Sequence, residues 1–185
     1  KMGYAIARSA KMRGAEVTLI SGPVALEPLD GVRMIPVTSA CDMREAVMQA
    51  LPQSDLVIKA AAVGDYRPAT FQDDKIKKHD DDMSVSLVRN PDILAEIGEK
   101  RRDDQVICGF SMETQNMIGN SRAKLEKKHL DMVAANNLKE AGAGFQGDTN
   151  ILTLITQNED VSLQLMSKED AANAILDKIL SVCKE

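Results

Sequence analysis

The chain has 185 residues, of which 44% are hydrophobic and 28% are charged, and its formal net charge is −5. This length and composition are typical of one globular domain with a sizeable core. The acidic balance argues against nucleic-acid binding through overall charge, so any phosphate site must come from local lysines.

The cysteines and histidines show no metal-ligand spacing. Cys41, Cys108 and Cys183 are widely separated, as are His79 and His129. The simplest interpretation is unpaired thiols in a reducing cytosol. No apolar run reaches membrane-spanning length, and no signal peptide is recognisable. We therefore predict a cytoplasmic protein without nucleic-acid or membrane partners.

Strands and helices alternate along most of the chain. The first half of the chain is predicted to contain a helix from Met2 to a stop at Gly14, strands at 16–20 and 32–37, a helix at 41–51 capped by Ser39, and a strand at 56–61. A charged loop at 65–82 and a short strand at 84–88 follow, and then a helix capped by Asn90 with Pro91 in its first turn. The second half is predicted to contain a strand at 106–110, a helix at 114–128, a strand at 131–135, a glycine-rich loop at 142–147, strands at 150–156 and 161–166, and a helix at 168–183. This order predicts an α/β fold: a three-layer, Rossmann-like, mostly parallel sheet with helices on both faces and an antiparallel C-terminal strand pair.

The segment 55–78 carries the strongest indication of a ligand. A short strand is followed by small residues, a polar and aromatic turn and a lysine cluster, at 60–64, 65–68 and 75–78. Small side chains let a flat ligand lie close to the backbone, and open α/β sheets bind ligands at the carboxyl ends of their strands. Lysine supplies the compact, movable charge that suits phosphate.

The charged candidates also have ordinary structural interpretations. Lys124 and Lys128 share a helix face and could grip a polyphosphate, or they could form a solvated face near a helix end. Lys75 could close over phosphates, or its loop could stay solvated. Asp65 could bind a ribose, a base or a cation, or it could satisfy its own turn.

The remaining candidates are equally open on pattern alone. Asn90 and the turn 91–94 could present N–H groups to a ligand, or they could simply begin a helix. Phe110 could stack on a base or belong to the core. Glu113 after it is expected to begin the next helix.

Seven motifs occur in order at fitting intervals. They are A-A-A-V-G-D-Y-R-P at 60–68, K-I-K-K at 75–78, N-P-D-I-L at 90–94, G-F-S-M-E-T at 109–114, K-L-E-K-K at 124–128, D-M-V-A-A-N at 131–136 and G-F-Q-G-D-T-N at 144–150. Together they resemble bacterial phosphopantothenate–cysteine ligase, also called phosphopantothenoylcysteine synthetase, over nearly the whole chain. In many bacteria this enzyme is the C-terminal half of a bifunctional protein whose other half is a flavin-dependent decarboxylase.

The resemblance implies a reaction and its partners. The family couples 4′-phosphopantothenate to L-cysteine through an acyl-cytidylate, using CTP in its bacterial form, and Mg²⁺ is expected with a triphosphate. A homodimer is also implied, and the region 65–90 is a plausible place for arm exchange. The resemblance does not name metal ligands.

The resemblance also assigns site residues, and it favours the functional interpretation of the lysines. The implied nucleotide-binding residues are Lys59, Ala60, Ala61, Asp65, Lys75, Pro91, Asp92, Ile93, Leu94, Phe110, Lys124 and Lys128, with Lys75 also catalytic. Lys59 stands where a smaller residue is expected, which implies a contact through its backbone. The family carries a glycine-rich strand-turn and an asparagine just before the position of Lys1. We therefore expect one nucleotide-binding domain over 1–185 that lacks its N-terminal strand and glycine-rich turn.

Two other functions fit parts of the pattern. A nicotinamide-dependent Rossmann oxidoreductase would share the helix–glycine–strand opening at 6–20. However, the chain has no G-x-G-x-x-G, and Ser21 and Gly22 follow that strand where an acidic residue would bind the ribose. An inactive nucleotide-binding module is the other alternative, and CTP binding without turnover would support it.

Overall fold

The computed structural model describes residues 1–71, 74–75, 83–113, 115–137 and 147–183, the last residue of the fourth range by its backbone alone. Its helices are α1 (Met2–Met12), α2 (Ala40–Ala50), α3 (Ile93–Lys100), α4 (Met117–Lys127) and α5 (Lys168–Val182), with a 3₁₀ turn at Leu51–Gln53. Its strands are β1 (Thr18–Ser21), β2 (Arg33–Pro36), β3 (Leu56–Lys59), β4 (Tyr66–Pro68), β5 (Leu87–Arg89), β6 (Val106–Glu113), β7 (Met132–Asn137), β8 (Thr149–Asn150), β9 (Leu152–Thr156), β10 (Asp160–Ser162) and β11 (Met166–Ser167). None of the helices described is long and apolar enough to cross a membrane.

The central sheet has five strands in the order β10-β9-β7-β6-β3. β3, β6 and β7 are parallel, whereas β9 and β10 are antiparallel to their neighbours. The α/β class and the antiparallel C-terminal pair are therefore confirmed, and the sheet as a whole is mixed. β1 and β2 form a separate parallel pair.

The sheet separates two hydrophobic cores, which gives the three layers. Successive residues of a strand point to opposite faces, so β6 and β7 contribute to both cores. One core is formed with α1 and α5 and contains Cys108, Met132 and Ala134. The other is formed with α2, α3 and α4 and contains Ile107, Val133 and Ala135. All three cysteines are free thiols, as the sequence predicts.

The predicted cap of α3 is wrong by two residues. Asp92, not Asn90, is the cap, and its side chain accepts a hydrogen bond from the Ala95 N–H at 3.1 Å. Pro91 therefore precedes the cap and does not lie in the first turn. The physical reason is that proline disfavours helical geometry in the residue before it, which leaves Asn90 outside the helix, directly after β5.

The interval 65–82 is not wholly a loop. Tyr66–Pro68 forms β4, which pairs antiparallel with β5. The Arg89 guanidinium lies 5.5 Å from the centroid of the Tyr66 ring across this hairpin. A strand of three residues is stabilised by its partner, which here lies about twenty residues later in the chain. Residues 72–73 and 76–82 lie outside the described residues.

β6 is longer than predicted, and the helix after it is shorter. Glu113 belongs to β6, in register with Asn137 of β7, so the expectation that it begins a helix is wrong. α4 begins only at Met117. The parallel ladder to β7 keeps residues 111–113 extended. Most of the predicted glycine-rich loop, through residue 146, lies outside the described residues.

Candidate active site

The loop after β3 is joined to the turn before α3 through Asn90. The Asn90 Nδ2 donates to the Gly64 carbonyl oxygen at 2.8 Å, and its backbone N–H donates to the Asp65 carbonyl oxygen at 2.8 Å. Arg67 donates to Asn90 Oδ1 at 3.1 Å. These bonds hold the loop 60–65 beside the start of α3, at the carboxyl end of β3. Open α/β sheets bind ligands at this edge.

The last turns of α4 bring two lysines to the same edge. The Lys124 Nζ donates to the Phe110 carbonyl oxygen of β6 at 2.7 Å. The Lys128 Nζ lies 2.7 Å and 3.0 Å from the two carboxylate oxygens of Asp92. The predicted sharing of a helix face thus brings both ammonium groups beside the start of α3.

A third lysine comes from the end of β3. Lys59 is in register with Gly109 of β6, and its Nζ donates to the Ala61 carbonyl oxygen at 3.1 Å. It is half-buried, and it interacts electrostatically with both lysines of α4. We call the four side chains the carboxyl-edge cluster: Lys59, Asp92, Lys124 and Lys128.

Burial and mutual repulsion shift the pKa values in this cluster. Burial lowers the pKa of Lys59, and the charges of Lys124 and Lys128 lower it further. The pKa of Lys124 is likewise lowered by burial and then by Lys128, against the opposing effect of Glu113. For Asp92, burial acts upward on the pKa, but the hydrogen bond from Lys128 and the other favourable contacts together lower it. The cluster therefore holds more positive charge than its one carboxylate neutralises.

The first turn of α3 can contact a ligand through its backbone N–H groups but not through the side chains of Ile93 and Leu94. Ile93 and Leu94 are 2% and 3% exposed and lie in the core, so neither side chain can reach a ligand. The first N–H groups of a helix have no partner within the helix. Any contact from residues 93 and 94 must therefore use these N–H groups, which adjoin the Asp92 carboxylate.

Two glycines allow the close packing beneath the cluster. A Cβ on Gly98 of α3 would overlap the Lys128 carbonyl oxygen and lie 2.9 Å from its carbon. A Cβ on Gly109 of β6 would lie 2.8 Å from the Leu94 side chain. Gly98 is needed because the α3 backbone approaches that of Lys128 too closely for a side chain, whereas Gly109 leaves room for the Leu94 and Leu130 side chains.

The other predicted residues contribute no side chain to the carboxyl-edge cluster. Ala61 and Asp65 are exposed, and Ala60 is half-buried near the start of α1. The Phe110 side chain packs against the core beneath α1 and α5. Lys75 is exposed and makes no hydrogen bond or ion pair with other residues in the described part of the chain. Pro91 lies between β5 and the Asp92 cap.

Sequence reasoning missed the linking role of Asn90 and Arg67, as well as the pairing of Asp92 with Lys128. A signal for the first was present, because the family-like motifs include both residues. The ion pair had no local signal, since its partners lie 36 residues apart. No group of three potential metal-ligating side chains occurs in the described ranges.

Comparison with known proteins identifies the family of this chain. The family model described as "DNA/pantothenate metabolism flavoprotein C-terminal domain" matches residues 1–182. The chain belongs to this family. The membership agrees with the resemblance found in the motifs.

Curated relatives extend beyond the chain. The coenzyme A biosynthesis bifunctional protein CoaBC of Bacillus subtilis is 47% identical, and the match covers 100% of this chain and 46% of that protein. A cysteine/cysteine sulfinic acid decarboxylase from an unknown prokaryotic organism is 41% identical, over 98% of this chain and 51% of that protein. The chain thus spans about half the length of the curated relatives it matches.

Among solved structures, the C-terminal domain of a CoaBC protein is similar in fold and sequence. It has a TM-score of 0.80 and 39% identity, covering 96% of this chain and 80% of that chain. This similarity supports the Rossmann-like α/β arrangement described above.

Proposed function

We propose that this chain joins 4′-phosphopantothenate to L-cysteine at the expense of CTP, a ligation in coenzyme A biosynthesis. The observation that carries the proposal is the carboxyl-edge cluster, in which Lys128 alone is ion-paired with Asp92, while Lys59 and Lys124 add two further positive charges. Such a surplus suits a ligand with several phosphate charges. The name of the Bacillus subtilis relative supports the pathway.

The proposed chemistry needs positioning and positive charge more than a protein nucleophile. The carboxylate of phosphopantothenate attacks the α-phosphate of CTP and expels pyrophosphate, which leaves an acyl-cytidylate. The amine of cysteine then attacks the acyl carbon, and CMP leaves. Lys124 and Lys128 would hold the phosphates and stabilise the charge that develops on them.

The backbone around β3 would receive the nucleoside. Residues 59–61 pass along the carboxyl edge with small side chains after Lys59, so a flat base can approach their peptide groups. The preference for CTP over ATP is part of the proposal and derives from the family resemblance. The N–H groups of Ile93 and Leu94 would supply further donors at the start of α3.

Magnesium is proposed as a companion of the triphosphate. Mg²⁺ usually takes one or two carboxylates plus substrate phosphates and needs no all-protein cage. Asp65 fits this requirement because it is exposed and is fixed beside the start of α3 through Asn90. When bound, the ion would neutralise phosphate charge.

A second copy of the chain is the proposed partner at the β4–β5 hairpin. The hairpin and its flanks expose large apolar side chains, namely Tyr66, Phe71, Met83, Val85, Leu87 and Val88. Exposed apolar groups concentrated in one place are typical of interaction surfaces. We also propose a covalently linked flavin-dependent decarboxylase domain in the full-length protein, and a cytoplasmic location.

The name of the second relative raises decarboxylation as a competing activity. The chain covers 51% of that protein, so its name does not say which half performs the chemistry. The surplus of positive charge in the carboxyl-edge cluster favours ligation for the half that this chain matches.

The decisive experiment measures pyrophosphate release by the protein in its natural full length. We expect release only when CTP and 4′-phosphopantothenate are both present, followed by CMP when cysteine is added. Release that is independent of either substrate would contradict the proposal. Parallel titrations with NADH and CTP separate the ligase from a nicotinamide-dependent enzyme.

Lys75 provides a sharper test of mechanism. We expect Lys75→Gln to abolish acyl-cytidylate formation while the unfolding transition stays unchanged, because Lys75 is exposed. Normal turnover by this variant would remove Lys75 from the mechanism. Lys127→Gln, an exposed lysine of α4, is the matched control and should keep full activity.

A further inference from the structure

The side chain of Lys59 has a placement that a backbone contact alone does not explain. Lys59 is the last residue of β3, where the strand meets the ligand-binding edge. Its Nζ donates to the Ala61 carbonyl oxygen, two residues further along the same loop. An ammonium group has three donors, so this bond leaves donors for a ligand.

The charge balance around Lys59 is incomplete. In the described part of the chain, neither Lys59 nor Lys124 forms an ion pair within 4 Å, and the carboxylate of Asp92 is taken by Lys128. Asp92 also uses an oxygen to cap α3. Two half-buried positive charges thus remain without a close anionic partner, which is unfavourable unless an anion occupies the space between them.

We propose that the Lys59 side chain is a third phosphate-binding group, which contacts the phosphate chain of the nucleotide together with Lys124 and Lys128. The proposal rests on the nucleotide site proposed above and deepens it. It replaces the expectation that Lys59 acts through its backbone alone. The three ammonium groups approach from separate elements, β3 and α4, so they can surround a phosphate chain from two sides.

The electrostatics of Lys59 agree with this role. Burial and then the charges of Lys124 and Lys128 lower the pKa of Lys59. A bound phosphate reverses these effects, because a nearby negative charge favours the protonated amine. Binding of CTP should therefore be coupled to strengthened protonation of Lys59.

Calorimetric titration with CTP tests the proposal on the full-length protein. Lys59→Met keeps the backbone and most of the side-chain volume but removes the charge. We expect it to weaken CTP binding roughly tenfold, as for the loss of a charge-assisted hydrogen bond. Lys59→Arg should recover part of the loss, and CMP, with fewer phosphate charges, should show a smaller loss.

Three further variants make the outcomes distinguishable. Lys127→Met, which removes an exposed charge from α4, should leave CTP binding unchanged, and thermal unfolding of each variant reports whether the fold is intact. If Lys124→Met and Lys128→Met weaken CTP binding while Lys59→Met does not, the inference about Lys59 is overturned and the proposed site stands. If none of Lys59→Met, Lys124→Met and Lys128→Met changes CTP binding, the proposed nucleotide site itself is wrong.

Discussion

The two ends of the parallel strands carry polar clusters of opposite character. At the amino ends, Arg101 pairs with Asp131 at 2.7 Å, and Asp131 also accepts the Ile107 N–H at 2.6 Å. Gln105, which is 1% exposed, donates to the carbonyl oxygens of Leu51 and Ser54, both at 2.6 Å. At this end of the strands, the charged side chains are paired with each other and the buried amide group is hydrogen-bonded.

The carboxyl-edge cluster is instead unbalanced, with three lysines and one carboxylate. A balanced buried network contributes to the stability of the fold, whereas a surplus of one charge opposes folding and favours a ligand of the other sign. We therefore expect the amino ends of the strands to contribute mainly to stability and the carboxyl ends to contribute mainly to the proposed binding. The predictions below concern stability, CTP affinity or both.

The largest effect is expected at the amino ends. Gln105→Leu removes the side-chain donor to the Ser54 carbonyl oxygen, leaves the Leu51 carbonyl oxygen with only the Ser54 N–H, and removes the acceptor of the Arg102 N–H. We expect the free energy of unfolding to fall by about 4 kcal/mol, measured by urea denaturation. CTP affinity of the folded protein should not change. Gln49→Leu, on the exposed face of α2, is the control and should stay within about 0.5 kcal/mol.

Gly98→Ala is expected to affect both properties. The added Cβ overlaps the backbone of Lys128, so α3 and α4 must separate, at about 2 kcal/mol of stability. Lys128 then moves, and CTP affinity should fall although no charge is lost. Gly119→Ala is the control, because the atoms nearest to a Cβ there belong to the end of the exposed Asn116 side chain, which can move aside. Unchanged CTP binding in Gly98→Ala would show that the position of Lys128 is not critical.

Asp92→Asn should strengthen nucleotide binding. Asparagine caps a helix about as well as aspartate, so α3 keeps its start while Lys128 loses its internal counter-charge. We expect CTP to bind about threefold tighter without Mg²⁺, by calorimetry. Weaker binding would mean that the Asp92 carboxylate itself contributes to the site, through a cation or a direct contact.

The smallest predicted effect is on pH dependence. The pKa values of Lys59 and Lys124 are lowered from 10.5 by burial and by neighbouring lysines. Below pH 10.5 the unfolded chain therefore binds more protons than the fold, so these lysines make unfolding less favourable as pH rises. CTP affinity should move the other way and fall as pH rises into the alkaline range, because these lysines lose their positive charge there.

Both trends can be measured on one preparation. Asp92, Lys128 and Glu113 are the other charged groups facing these lysines, and their variants separate the contributions. A CTP affinity that stays constant into the alkaline range would contradict protonated lysines as the binding groups.

Local signals predicted the elements whose stabilising contacts lie within them. Ser39 caps α2 as expected and forms a capping box with Asp42. The C-terminal strand pair was correctly predicted to be antiparallel, as β9 and β10 are, although β10 begins at Asp160 and not at 161. β4 was not predictable in this way, because a strand of three residues depends on a partner that no local pattern identifies.

The candidate site shows the same difference between features set by local sequence and features set by packing. The helical spacing of Lys124 and Lys128 correctly predicted a common face, since both lie near the end of one helix. Their association with Asp92 and Lys59 depends on how α3, α4 and β3 pack, which spacing cannot reveal. The roles of Lys75 and of the backbone at 60–61 stay predictions.

The close approach at Gly98 also has a mechanical consequence. Because the α3 backbone touches the Lys128 carbonyl group and Asp92 bonds the Lys128 ammonium group, these two helices are connected at two points. Displacing either helix would therefore displace the other, and the part of the carboxyl edge that they form should behave as one rigid body. Because Asn90 also joins the loop 60–65 to the start of α3, adjustment to ligands of different size should move these elements together.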